Sequence, residues 1–349
     1  MSIILNGVVL NFKEYVGVNK NAIYSKICEY VPLKDPEGHH GIMRDYIDRQ
    51  GNYRRPGLLL LSGQMFGAQL RQLILPAAAQ QLSEDWILMQ DDTFDDSELR
   101  RGKPAAHRLY GAVHTINASN IGQMAMWCML KDYALAYGAQ IGNRLYEKFY
   151  DMLQYTAEGQ YVENYFIHNT KDLKKVDEST YYRIADSKTC YYTVYGPLQL
   201  GAIAAGQPDS TLDFLKEIGT AAGIAFQITD DILDMTADEN VFGKKNFGDL
   251  YEGKLTLMIL HAYGEATKTE KKRIDAIYVK RRQDKTKKEI DFLREMIRKY
   301  GGVEYANATK ERYGAKAAKM LDKYGHLLPD NKYRKIMLSA INEMYHREK

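Results

Sequence analysis

Cysteine is scarce in this chain: only Cys28, Cys128 and Cys190 occur among its 349 residues. An odd, widely spaced set excludes a disulfide framework and lacks the paired spacing of a zinc site. Proline is also sparse, at eight residues, so few points interrupt a helix. No run reaches the roughly 18 uncharged apolar residues of a membrane helix. Met1 to Val9 is mildly apolar but lacks the basic start and long apolar core of a signal peptide. Neither sign of charge is in excess: 48 Lys and Arg against 45 Asp and Glu leave +3, which gives no general nucleic-acid footprint. No Walker-type glycine loop is present, and no Ser/His/Asp or Cys/His arrangement stands out. His39 and His40 are adjacent and cannot share a helix face, so they read as solvated rather than metal-bound. These absences predict a soluble, cytoplasmic chain with no nucleic-acid partner and no integral membrane segment.

What is present is helical periodicity over a 45% hydrophobic composition, which predicts an all-α fold. No short-period repeat or clear boundary divides it, so residues 1–349 read as a single domain. Helices are expected over Asn19 to Tyr30, over 73–90, from Ala112 to Phe166 with a turn at Gly138 and Gly142, and from Leu212 to Leu233. Another runs from Thr180 to Ala205, with a kink at Pro197. Beyond Thr267 the chain is helical and highly charged, and its Lys271 to Lys288 run reads as a solvated face.

Two acidic stretches interrupt this pattern. Asp91-Asp92-Thr93-Phe94-Asp95-Asp96 follows the apolar Trp86-Ile87-Leu88-Met89, and Asp230-Asp231-Ile232-Leu233-Asp234 repeats the spacing far downstream. On a helix Asp91, Asp92 and Asp95 stand at i, i+1 and i+4, and are expected to point into one sector. Such crowded carboxylates repel unless a cation lies among them. Hard oxygen ligands suit Mg²⁺, which usually shares its shell with substrate phosphates. Bases follow each acidic stretch: Arg100, Arg101 and Lys103 after the first, Lys244 and Lys254 after the second. Arg54 and Arg55, just before Pro56 at a helix start, form either a phosphate seat or a solvated turn. Lys188-Thr189 lies in a Tyr-rich segment, where the lysine either meets an anion or snorkels to solvent. Two carboxylate–metal clusters with bases around them can grip a diphosphate and stabilise it as a leaving group. Aromatic, apolar surroundings suit a greasy substrate and a carbocation.

The order of these motifs resembles the trans-isoprenyl diphosphate synthase (polyprenyl synthetase) family over nearly the whole chain. Asp91-Asp92-x-x-Asp95 with Arg100-Arg101-Gly102 is similar to the family's first aspartate-rich motif, and Phe226-Gln227-x-x-Asp230-Asp231-x-x-Asp234 to its second. Gly159-Gln160, Lys188-Thr189, Lys244 and Gly253-Lys254 fall where the family has functional positions. The resemblance implies a helical bundle around a central cavity, a homodimer, and three Mg²⁺ ions per site. It places metal on Asp91, Asp92, Asp95, Asp230, Asp231 and Asp234, with Asp91, Asp95 and Asp230 foremost. An allylic prenyl diphosphate would be held by Arg100, Lys188 and Lys254, and its cation stabilised by Thr189 and Gln227. Isopentenyl diphosphate would then be attached head-to-tail while held by Arg55 and Arg101.

Four positions depart from the family's pattern: Asn52 in place of a lysine, Glu84 in place of His or Gln, Gln90 for a His, and Glu163 for an Asp. Asn52 and Glu84 remove a cation and add an acid, which weakens an anion site unless Glu84 pairs with Arg54 or Arg55. A terpene cyclase-like enzyme, or a prenyltransferase to a non-diphosphate acceptor, is the alternative those two positions raise. A regulatory partner subunit is a third reading, which the intact metal motifs argue against. In the family, residues one and two turns before the first aspartate floor the cavity. Trp86 and Ser83 occupy that place here, and a tunnel-facing Trp86 implies a product of fifteen or twenty carbons. A Trp86 facing a neighbouring helix would limit nothing.

Overall fold

The structure is a computed structural model that describes residues 4–5, 8–9, 11–35, 37–170, 172–236 and 247–345. Helix dominates. The described strands are two short antiparallel pairs, Ile4–Leu5 with Val8–Val9 and Leu99–Arg100 with Lys103–Pro104. The all-α expectation therefore holds. No helix among the described residues is long and apolar enough to cross a membrane. The chain divides into two compact units.

The first unit draws on described residues within Met1–Leu153, Tyr192–Ile218 and Met320–Ile341. Its first helix, Phe12–Tyr30, begins earlier than the expected Asn19. The cause is a reciprocal cap: Glu14 N donates to Asn11 Oδ1 at 2.9 Å, and Asn11 N donates to Glu14 Oε2 at 2.8 Å. The helix Arg54–Met65 runs through the core, with Leu58, Leu59, Leu60 and Leu61 all fully buried. Each buried leucine contributes about 2 kcal/mol of apolar burial. This helix packs on Gly196–Ala204 and on Leu70–Phe94, and the latter lies along Ala112–Tyr137. Leu70–Phe94 overruns the expected 73–90 at both ends. At its start Gln69 and Gln72 cap each other as Asn11 and Glu14 do. At its far end the acidic cluster remains helical up to Phe94.

The second unit draws on described residues within Gln154–Tyr191, Gly219–Lys319 and Asn342–Lys349. Its helix Lys287–Lys299 is sharply two-faced, burying Ile290, Phe292, Leu293, Met296 and Ile297 while its Lys and Arg side chains face outward. The expectation of a solvated face over Lys271 to Lys288 fails at Lys285. That side chain is buried and donates to the carbonyls of Leu250 at 2.9 Å and Tyr251 at 2.8 Å. The short helix Gly248–Glu252 ends there with unsatisfied carbonyls, and a buried ammonium satisfies them.

The kink expected at Pro197 is also replaced. Residues Ala185–Tyr195 are π-helical, and the α-helix Gly196–Ala204 begins where they end. Pro197 sits in the first turn of that α-helix, where its missing N–H breaks no helical bond. The departure from regular geometry lies before the proline, in the stretch that carries Lys188 and Thr189.

Candidate active site

The first acidic motif closes a helix. Asp91 and Asp92 lie in the last turn of Leu70–Phe94, Asp95 is its C-cap, and Asp96 adopts a left-handed φ of 53°. Carboxylates at the negative end of a helix dipole deepen a negative potential and favour a cation. Asp91, Asp92 and Asp95 do not share one sector, contrary to expectation. Asp92 is withdrawn from solvent, whereas Asp91 is half-buried. Adjacent helical positions diverge by about 100°, so Asp92 turns to the interior. There it accepts from the Tyr46 hydroxyl at 2.6 Å and binds Arg100 through both carboxylate oxygens. Burial and Asp92 push the Tyr46 hydroxyl up, which keeps it a donor.

Two turns earlier on the same helix lies a second polar group. Glu84 Oε1 is 3.0 Å from Arg55 Nη1 and 3.6 Å from Arg101 Nη2. Burial alone would raise the Glu84 carboxyl, but Arg55 and Arg101 hold it below its usual range. Its neighbour Asp85 accepts from Arg101 Nη1 at 3.0 Å, yet burial pushes it up to about 7 against that cation. The Arg55 guanidinium also stacks 4.8 Å from the ring centroid of Tyr192, whose hydroxyl meets Ser83 Oγ at 2.9 Å. Ser83 is fully buried. Trp86 is buried with its Cβ against Gly122, where an added methyl would come within 3.0 Å. Arg54 opens the Arg54–Met65 helix and is half-buried, while Asn52 is exposed.

The helix Asp209–Thr236 carries the second motif in the part that belongs to the second unit. Asp231 is buried and accepts from the Tyr181 hydroxyl at 2.8 Å and from Gln227 Nε2 at 2.7 Å. Gln227 Oε1 in turn accepts from Thr189 Oγ1 at 2.5 Å. Burial raises Asp231 to about 7, with the Gln227 and Tyr181 hydrogen bonds opposing it. Asp230 is half-buried, and Asp234 Oδ2 accepts from the Asp249 N–H at 3.1 Å. Close packing sets the Lys188-Thr189 segment in place. A methyl added at Gly223 would meet Cys190 Cα at 2.7 Å, and one at Gly159 would meet Ser187 Oγ at 2.1 Å. Lys188 does not snorkel alone: its Nζ is 2.5 Å from Glu163 Oε2. Lys254 Nζ is 2.8 Å from Glu252 Oε2, and Gln160 Nε2 donates to Asn164 at 3.2 Å. Lys244 lies outside the described residues.

Each unit thus repeats one arrangement. In both motifs the second aspartate is buried, bound by a tyrosine hydroxyl and by a further side chain, Arg100 or Gln227. The first aspartate is left half-buried. Among the described residues no three His, Cys, Asp or Glu side chains stand together as a metal cage. The donors present are carboxylates, the hard oxygen ligands that Mg²⁺ takes one or two at a time alongside phosphate oxygens. That donor set fits Mg²⁺ and gives no sulfur or imidazole site for a softer metal. Tyr46, Tyr181 and Asp85 were not reached from sequence. A signal for Asp85 existed: Glu84-Asp85 is a pair of acids inside an apolar helix, and buried acids require partners. For the tyrosines no signal existed, because 27 tyrosines are spread through the chain.

Comparison with known proteins bears on this geometry. The family model "Polyprenyl synthetase" matches residues 37–296. Geranylgeranyl diphosphate synthase of Methanosarcina mazei is 32% identical over 250 residues, covering 70% of this chain and 73% of that protein. The crystal structure of geranylgeranyl pyrophosphate synthetase from Pyrococcus horikoshii superposes with a TM-score of 0.81 at 27% identity, covering 97% of this chain and 99% of that one. A Corynebacterium glutamicum geranylgeranyl pyrophosphate synthase, complexed with isoprenyl diphosphate and magnesium, reaches a TM-score of 0.82 at 22% identity over 97% of this chain and 100% of that one. That last likeness is one of fold.

Proposed function

This chain belongs to the polyprenyl synthetase family, and we propose that it is a Mg²⁺-dependent prenyl diphosphate synthase with a product of fifteen or twenty carbons. It is a prenyltransferase, which joins an allylic prenyl diphosphate head-to-tail to isopentenyl diphosphate. The observation that carries the reading is the doubled motif, in which a tyrosine hydroxyl and a second side chain hold one aspartate and leave another half-buried. Asp91, Asp95 and Asp230 are assigned to hold magnesium, three ions in all. Asp92, Asp231 and Asp234 contribute mainly by keeping the motif helices in register. Bound magnesium would neutralise the allylic diphosphate and improve it as a leaving group.

The remaining chemistry belongs to the chain. Arg100, Lys188, Lys254, Lys244 and Gln160 are assigned to the allylic diphosphate, the cations among them by charge and Gln160 by hydrogen bonding. Thr189 and Gln227 direct oxygen dipoles toward the cation left when the C–O bond breaks. Their own hydrogen bond supports this role, because it leaves lone pairs rather than N–H groups for a cation to meet. Arg54, Arg55 and Arg101 receive isopentenyl diphosphate. The departing diphosphate takes the proton released after the alkene attacks. Trp86 and Ser83 are assigned to the floor of the substrate cavity, where the indole sets the length of the product. Glu84 does not favour the cyclase alternative, since its charge is met by Arg55 and Arg101. A homodimer is supported by Val113, Met124 and Leu135, which are more than half exposed along one helix. The cytoplasm suits a chain with three unpaired cysteines.

The test is mass analysis of products after incubation with isopentenyl diphosphate, Mg²⁺ and each short allylic starter. Fifteen- or twenty-carbon diphosphates are expected. No elongation from any starter, while the starter still binds, would end the proposal.

A further inference from the structure

We propose that Lys20, on the first helix, is a third basic group of the seat that Arg55 and Arg101 offer to a diphosphate. The inference rests on the reading of that pair as the isopentenyl diphosphate site. Lys20 Nζ reaches across to the turn before Arg54. There it donates to the Gln50 carbonyl at 3.4 Å and lies 5.1 Å from the ring centroid of Tyr53. Both contacts hold the ammonium at this turn. Burial lowers the Lys20 pKa, and the nearby Arg101 charge lowers it further. Two cations are therefore held near one another in a partly dehydrated place.

Arg101 is arranged in the same sense. Its Nη2 is buried with no hydrogen-bond partner among the described residues, the Glu84 carboxylate standing off at 3.6 Å. The guanidinium lies against the backbone of Gly51, where a methyl would come within 2.4 Å of Nη2. The backbone around it is under strain: Gln50, Tyr53 and Arg101 are non-glycine residues with φ of 44°, 52° and 52°. Left-handed non-glycine residues cost about 1 kcal/mol or more each and gather where a chain must hold a ligand. Asn52, at the tip of this turn, is exposed and uncharged, and Lys20 brings an ammonium to the same turn from another helix. A diphosphate offers acceptors on several oxygens, enough to meet Lys20, Arg101 Nη2 and Arg55 together.

The test compares wild-type chain with Lys20→Met, Lys20→Arg and the double variant Lys20→Met/Asn52→Lys. Isopentenyl diphosphate is titrated calorimetrically onto each, and KM is measured for both substrates. Lys20→Met is expected to raise Kd and KM for isopentenyl diphosphate about tenfold, the value of one charge-assisted hydrogen bond. The allylic KM should stay unchanged. Lys20→Arg should stay near wild type, and the double variant should recover most of the loss. Equal isopentenyl diphosphate affinity in wild type and Lys20→Met would overturn the inference. So would a parallel loss for both substrates, or an arginine variant as weak as the methionine one. A wild-type chain that binds isopentenyl diphosphate yet forms no product refutes the synthase reading and leaves the role of Lys20 standing.

Discussion

Replacing Glu84 with glutamine tests the electrostatics of the basic seat most directly. The substitution keeps the side chain's size and one oxygen acceptor while removing a charge that lies 3.0 Å from Arg55 and 3.6 Å from Arg101. Two effects of opposite sign follow. Without ligand, the two guanidinium groups lose their shared counter-ion. Removing one partner of a fully buried ion pair costs about 3–5 kcal/mol, and the retained amide oxygen reduces that to about 1–3 kcal/mol. A fall of several degrees in Tm is expected. With isopentenyl diphosphate bound, the wild-type carboxylate competes with the ligand for both arginines. Like charges about 6 Å apart at an effective dielectric of about 20 repel by about 3 kcal/mol. Part of that gain is lost because the arginines are less well held beforehand. A net gain of about 1.4 kcal/mol, or about tenfold, is the expected result.

Steady-state kinetics at saturating allylic substrate should therefore give a KM for isopentenyl diphosphate lowered about tenfold. The allylic KM should be unchanged. Thermal unfolding should show the ligand-free variant less stable than wild type, with the gap narrowed by isopentenyl diphosphate. A raised KM for isopentenyl diphosphate would refute the reasoning, because Glu84 would then be holding the arginines in their productive place. Equal changes in both KM values would refute it too, by marking a general loosening.

Three further outcomes follow from the geometry. The Asp85 carboxyl titrates near 7 in the folded chain because it is buried, against an ordinary value of about 4 when unfolded. Between those values the folded chain keeps a proton that the unfolded chain has lost, so its contribution to stability declines as pH rises from about 4 to about 7. Asp85→Asn should flatten that part of the Tm–pH profile, and superimposable profiles would contradict the assignment. Trp86→Ala should lengthen the product by one or more five-carbon units, read by mass, and cost about 3–5 kcal/mol from the emptied core. An unchanged product length would mean that the indole is not the floor. Gly223→Ala places a methyl within 2.7 Å of the Cys190 backbone. It should destabilise by about 1–3 kcal/mol and lower kcat as Thr189 shifts, whereas a variant with wild-type kcat would separate that packing from turnover.

Much of the site was legible because its chemistry is written in local spacing. The two acidic motifs could be placed on helices by periodicity, and the bases after them and Lys188-Thr189 could be picked out by residue type and spacing. Helix ends were less legible where a reciprocal cap such as Asn11 with Glu14 decided them. The sense of individual side chains was least legible. Asp91 and Asp92 are equivalent as letters, but Asp92 is the one fully withdrawn from solvent, against Tyr46 and Arg100. Lys285 sits in a run of like residues, but only it caps the Gly248–Glu252 helix.

Sequence by itself determined the all-α class, the family, the metal-suited carboxylates and the departure at Glu84. Those depend on residue type and on spacing within a few turns, which a linear chain displays. Only the tertiary structure decided what Glu84 does with its charge, which aspartate of each motif is withdrawn, and that Lys20 arrives beside a turn thirty residues away. Those outcomes depend on which long-range partner burial brings within about 3 Å, where hydrogen bonds and unscreened charge act.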